Sequence, residues 1–284
     1  MKHMFSLFLI VVLSFQLFAQ QNPIRLIIRG DDMGSSHSAN SALIKSYKEG
    51  IEKTVEVMVV TAWFPEAVKL LKHNPGLDVG IHLTITSEWE NVKWRPLTNC
   101  PSLTDTNGYF FPMISPNPNY PGQAIKENNW KLDEIEKEFR AQIELAKKNI
   151  PWVSHFTSHM GCTEISGDVK TMAKKLAQEY NLAIDLDELG IKSVYYDGLA
   201  STYEEKIDSF IKMLNKLEAG NTYMFLDHPG LDKDELKAVY HIGYENVAQD
   251  RQGVTDVFTS EKVKQVIKEK GILLISYKDV KENK

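Results

Sequence analysis

Short apolar runs alternate with amphipathic stretches along most of this chain. The first run, residues 24–28 (Ile-Arg-Leu-Ile-Ile), predicts a buried strand. Residues 38–50 then carry Ala39, Leu43 and Tyr47 at helical spacing and stop at Gly50, a helix-ending residue. A strand over 55–60, a short helix over 65–73 and a strand over 77–83 continue the alternation. The clearest helix is 132–148, where Leu132, Ile135, Phe139, Ile143 and Ala146 form the apolar stripe and Pro151 follows as a stop. Further strands are expected over 152–156, 182–184, 223–226 and 272–276. Helices are expected over 168–180, 203–217 and 260–270, the last with Ser260 as N-cap and Gly271 as its stop. Alternation of this kind implies an α/β fold with a mainly parallel sheet and helices outside. About seven such units suit a closed or nearly closed, distorted (β/α) barrel, with an open doubly wound sheet as the alternative.

Residues 84–130 break the pattern. Pro96, Pro101, Pro112, Pro116, Pro118 and Pro121 occur there with Trp89, Trp94, Tyr109, Phe110, Phe111 and Tyr120. The aromatic content argues against disorder, so this is a loop insertion that packs on the domain and can border a substrate cleft. Trp89, Trp94 and Tyr109 could stack on a sugar, although anchoring the loop accounts for any one of them equally well.

The N-terminus departs from the alternation in another way. Residues 5–18 are almost wholly apolar, and Ala19 precedes Gln20-Gln21. This is the layout of a secretory signal peptide over residues 1–19, leaving 20–284 as one α/β barrel domain. The run is short for a membrane span, so export to the periplasm or beyond the cell, with no stable membrane anchor after cleavage, is expected. Cys100 and Cys162 could pair in such a compartment or stay as two thiols. Composition is ordinary for a globular chain of 284 residues, and a formal net charge of −5 without a long basic run argues against a nucleic-acid partner. Neither a Gly-x-Gly-x-x-Gly element after the first strand nor a Gly-Lys-Ser/Thr phosphate loop is present, so a nucleotide cofactor is not indicated.

In parallel α/β folds, chemistry gathers at the carboxyl ends of the strands. The first strand leads into Arg29-Gly30-Asp31-Asp32-Met33-Gly34. Adjacent carboxylates at the end of a core strand repel and cost desolvation, which a divalent metal would offset. On this stretch alone, a turn capping the next helix explains them as well. The other strand ends supply His82, then His155, Ser158 and His159, then Asp227 and His228. Four of the eight histidines thus fall at strand ends, and with two aspartates the set favours a metal site over core packing. One carboxylate with two imidazoles leaves positions open for water and substrate; zinc is the natural occupant, with magnesium or another divalent ion open.

These motifs, in order, resemble the YdjC-like carbohydrate deacetylases, which include chitooligosaccharide and hopanoid-type deacetylases. The resemblance runs through Gly30-Asp31-Asp32-Met33-Gly34, Gly80-Ile81-His82-Leu83-Thr84, Pro101-Ser102-Leu103 with Asn107-Gly108-Tyr109-Phe110, Ser158-His159, and His228-Pro229-Gly230. It implies Asp32, His82 and His159 as ligands of a divalent metal, Asp31 as catalytic base and His228 as proton donor. It further implies an α/β barrel that hydrolyses N-acetyl groups of amino-sugar-containing carbohydrates, with water activated at the metal. One motif departs from the family, which has His-x-Asp-Ser-His-x-His where this chain has His155-Phe156-Thr157-Ser158-His159-Met160-Gly161. Thr157 and Gly161 therefore stand where an Asp and a His are expected. A metal hydrolase for another ester, amide or phosphate, and a non-catalytic glycan-binding relative, are the alternatives. Asp185, Asp187 and Arg251 are charged positions that could reach substrate but are better explained as solvated loop charges.

Overall fold

The computed structural model describes residues 22–182 and 186–282. The expected leader (1–19), Asp185 and most of the expected strand over 182–184 lie outside the described residues. The elements in chain order are β1 (Arg25–Met33), α1 (His37–Glu49), β2 (Thr54–Val57), α2 (Phe64–Lys72), β3 (Asp78–Leu83), α3 (Leu132–Asn149), β4 (His155–Ser158), α4 (Gly167–Tyr180), α5 (Leu186–Leu189), β5 (Ile191–Ser193), α6 (Tyr203–Lys216), β6 (Thr222–Asp227), α7 (Asp234–Lys237), α8 (Val247–Thr259), α9 (Glu261–Glu269), β7 (Leu273–Ile275) and α10 (Tyr277–Glu282). Among them no helix is long and apolar enough to cross a membrane.

All pairings of these seven strands are parallel, in the order β4-β3-β2-β1-β6-β5, with β7 also on β1. The sheet curls into a half-barrel, as the alternation of strands and helices predicts. β1 is its axis. One edge pairs with β6 from Arg25 to Gly30, while the other is shared by β7 over Arg25 to Ile27 and β2 over Arg29 to Met33. With both edges and both faces occupied, β1 is buried almost throughout, which accounts for its apolar run.

Period-two alternation sorts the strand residues into an outer and an inner layer. Val55, Val57, Val79, Ile81, Leu83 and Phe156 face outward into a core completed by α1 to α4. Leu26, Ile28, Tyr223 and Phe225 do the same under α6, α8 and α9. The inner apolar layer is small: Ile27, Ile191 and Met224 meet Tyr277 and Val280 of α10. Other alternate positions, among them Arg29, Glu56, His82, His155 and Thr157, are polar. The expected N-cap forms at Ser260, which accepts from the Val263 amide, and Ser36 caps α1 by accepting from the Ala39 amide.

The segment between β3 and α3 is ordered and packed, as its aromatic content predicts. Trp94 donates Nε1 to the Thr86 carbonyl at 2.6 Å, and Glu138 of α3 accepts from the Leu97 and Thr98 amides. Trp89 and Trp94 are both buried, so they anchor the loop and offer no open face for a sugar. Tyr109 carries the Arg95 guanidinium over its ring at 4.7 Å. Cys100 and Cys162 are free, buried thiols, the latter donating to the Leu83 carbonyl at 3.1 Å.

Candidate active site

In a regular strand Asp31 and Asp32 would point to opposite faces. Here β1 gains one residue on β2: Gly30 pairs with Val55, and Met33, three residues on, pairs with Val57. Asp32 takes the left-handed conformation inside this bulge, with φ 67°, a region where Asp is tolerated better than most residues. Both carboxylates therefore reach His82 of β3: its Nε2 lies 3.9 Å from Asp31 Oδ2 and 3.6 Å from Asp32 Oδ1.

The two aspartates have different partners. Arg29, two residues back on the same strand, grips Asp31 with both Nε and Nη2 at 2.8 Å. Asp32 gives one oxygen, Oδ2, to Arg251 Nη2 at 2.9 Å. Its other oxygen, Oδ1, is fully buried and has no hydrogen-bond partner among the described residues. His159 Nδ1 stands 3.4 Å from it. One ligand atom from each of Asp32, His82 and His159 falls within 4.8 Å of the others, and all three residues are buried.

The outer nitrogens of the two rings are already engaged. His82 Nδ1 lies 2.9 Å from Thr157 Oγ1, and His159 Nε2 lies 3.0 Å from Glu88 Oε2. As a carboxylate Glu88 can only accept from the ring, so Nε2 carries a proton and Nδ1 is the nitrogen that would turn its lone pair to an ion beside Asp32. A buried, unpartnered carboxylate oxygen between two inward imidazole nitrogens matches the donor set of a divalent metal. The residues present therefore fit such an ion.

The local fields agree with this arrangement. Burial would raise the Asp32 carboxyl, but Arg251, His228 and His159 outweigh it and hold it well below the usual carboxylate range. Burial, helped by His159, pushes His82 down to about 3, so its ring is neutral, as a metal ligand must be. Burial also opposes charge on His159, yet Glu88 and Asp32 prevail and lift it to about 10, so a proton occupies the position a cation would take.

His228 follows the end of β6, where Asp227 pairs with Gly30 of β1. Its side chain is about a third exposed, unlike the triad, and its Nδ1 lies 3.5 Å from Asp227 Oδ1. Burial resists its protonation, but Asp32 and the Asp227 hydrogen bond raise it above the ordinary histidine value. Asp227 is in turn held by the Tyr196 hydroxyl at 3.0 Å.

Several expectations change. His155 opens β4 instead of closing a strand, and it faces Glu56 Oε1 at 2.6 Å, away from the triad. Arg251 is no solvated loop charge: it lies in α8, buried, with its guanidinium 5.3 Å from the Trp89 ring. Arg29, Glu56 and Glu88 were not singled out by their sequence context. The replaced histidine position, Gly161, adopts φ 70° after Met160 at φ 49°, and no described residue lies within 4 Å of where its Cβ would be. The left-handed turn favours glycine there.

Fold and site together define an α/β half-barrel protein with a candidate divalent-metal centre at the carboxyl ends of its strands. Residues 25–269 match the model of the YdjC-like protein family, and the chain belongs to that family. It is 30% identical over 268 residues to a protein named carbohydrate deacetylase from Clostridium beijerinckii, covering 90% of this chain and 100% of that one. It is 26% identical, with the same coverage, to carbohydrate deacetylase 1 of Listeria innocua. A crystal structure from Enterococcus faecalis V583, of a protein given a provisional cellobiose-phosphate cleavage role, superposes with a TM-score of 0.72 at 24% identity. That match covers 91% of this chain and 99% of the other.

Proposed function

We propose that this protein is a metal-dependent carbohydrate deacetylase that hydrolyses N-acetyl groups of amino-sugar-containing substrates. The observation that carries the reading is the unpartnered Asp32 Oδ1 between the inward nitrogens of His82 and His159. Full-length similarity to proteins named carbohydrate deacetylases supplies the substrate class.

Asp32, His82 and His159 hold a divalent ion, zinc by ligand type or magnesium. When bound, the ion supplies Lewis acidity for water and for the acetyl carbonyl. Asp31 takes a proton from the attacking water, and Arg29 fixes its orientation through two hydrogen bonds. The water oxygen bonds to the acetyl carbon, the carbon–nitrogen bond breaks, and His228 delivers a proton to the departing amine. The Asp227 carboxylate beside its Nδ1 favours the protonated ring. Arg251 holds the second oxygen of Asp32, so that only Oδ1 is left to face the ion.

The test is acetate release by the zinc-loaded protein from N-acetylated oligosaccharides and from acetyl esters, with Asp31→Asn as control. Acetate from the amide substrates, lost in Asp31→Asn, is expected. Release from esters alone would replace the substrate class. Glycan binding without release from either would make the protein a binding relative.

A further inference from the structure

The triad leaves unexplained a run of buried polar groups on the inner face of β2, β3 and β4. Asp78 Oδ1 accepts from Ser154 Oγ at 2.7 Å. Ser154 Oγ lies 2.7 Å from His155 Nδ1, and His155 Nε2 lies 2.6 Å from Glu56 Oε1. Thr157 Oγ1 donates to Glu56 Oε2 at 2.7 Å and sits 2.9 Å from His82 Nδ1. Glu56 and His155 are fully buried.

With Asp78 and Glu56 as carboxylates, one arrangement of protons satisfies every contact. A hydroxyl has one proton to give, and Ser154 and Thr157 each face a carboxylate that can only accept. Each hydroxyl must then accept from the imidazole on its other side. His155 therefore donates from both nitrogens, one to Ser154 and one to Glu56. By the same logic His82 carries its proton on Nδ1, and its Nε2 lone pair points at Asp32 Oδ1. Thr157 has no charge of its own, so the direction of the last link is set by Glu56. The backbone is shaped for the pair: a Cβ on Gly80 would fall on Glu56 Oε2 and His155 Nε2.

We infer that Glu56, acting through the Thr157 hydroxyl, fixes His82 in the tautomer that presents Nε2 to the metal. Glu56 is thus the positioning carboxylate of this ligand, supplied from the neighbouring strand β2 and relayed through Thr157 of β4, on the other side of β3. The inference rests on the metal-site reading of Asp32, His82 and His159. Loss of such an outer partner weakens metal binding by about 10–100-fold.

Zinc affinity of the full chain, measured by competition with a chromophoric chelator, tests this. Thr157→Val is expected to bind zinc about 10–100-fold more weakly than the parent, while Thr157→Ser keeps the parent affinity. Glu56→Gln is expected to show a similar loss, and adding Thr157→Asp to it restores binding by placing the carboxylate directly on His82. Nitrogen NMR of the zinc-loaded parent is expected to show His82 protonated on Nδ1. A parent that binds no zinc would overturn the metal-site reading itself. A parent that binds zinc, with Thr157→Val within about twofold of it, would overturn the inference and leave the metal site standing. So would loss of binding in Thr157→Ser. If Thr157→Val does not fold, a proton on His82 Nε2 in the zinc-loaded parent overturns the inference on its own.

Discussion

Asp31 and Asp32 are neighbours with separate partners. Arg29 takes both oxygens of the first, whereas the second gives one to Arg251 and turns the other, without a hydrogen-bond partner among the described residues, towards His82 and His159. Asp32→Ala is therefore expected to abolish zinc retention, read as metal content after desalting, and Asp31→Asn to retain the metal while losing turnover. Gly80 contributes by having no side chain. Gly80→Ala would drive a methyl into the Glu56–His155 contact and is expected to cost about 1–3 kcal/mol in urea unfolding. That contact also sets a pH dependence. Burial opposes charge on His155, but Glu56 and then Asp78 win, and its pKa lies above the ordinary 6.5. The folded state thus binds a proton more tightly than the unfolded chain. The resulting stabilisation is complete below pH 6.5 and is lost as pH rises through the raised folded value. Unfolding free energies across that range are expected to fall in the parent protein and to fall less in His155→Gln.

At the scale of elements, most strands and long helices were legible because outer-facing strand residues and helix stripes are apolar. The inner face was not. Glu56, between Val55 and Val57, has the alternation of a strand with one side in water, yet in a curled parallel sheet that side is the interior and holds the site. The bulge in β1 was equally hidden, since Asp-Asp in sequence does not reveal that an extra residue brings both side chains to one face. Helix α8 is hidden in the sequence for a third reason. Val247, Val254 and Phe258 keep helical spacing, but Gly253 and the charged pair Asp250-Arg251 interrupt it, and the charge turns out to be committed to Asp32. Phe258 is fully buried beside Phe210 and Phe225. Phe258→Ala is expected to lower stability by about 3–5 kcal/mol, and loosening of α8 would weaken the hold on Asp32. The triad itself was legible as residues at strand ends, and its outer partners Thr157 and Glu88 emerged only when β3, β4 and the following loop came together.

For the molecule as a whole, a ligand that binds only the folded state stabilises it by mass action. Zinc at about one hundred times its dissociation constant is expected to add ~2.7 kcal/mol, seen as a rise in melting temperature that a chelator reverses. Among the described residues β4 and β5 end the sheet, and a cavity of ≈ 590 Å³ lies between them, lined by Arg29, Thr157, Ser158, Lys192 and Tyr277 among others. An unclosed sheet has two free margins, and free margins invite strands from other molecules. Here each margin is only three or four residues long, and β5 carries the exposed Lys192 and Ser193. So short a ladder, with a lysine to desolvate, gives an incoming strand little to gain. Among the described residues the inner chamber is thus bordered by short, charged margins that offer no template for fibrous self-association.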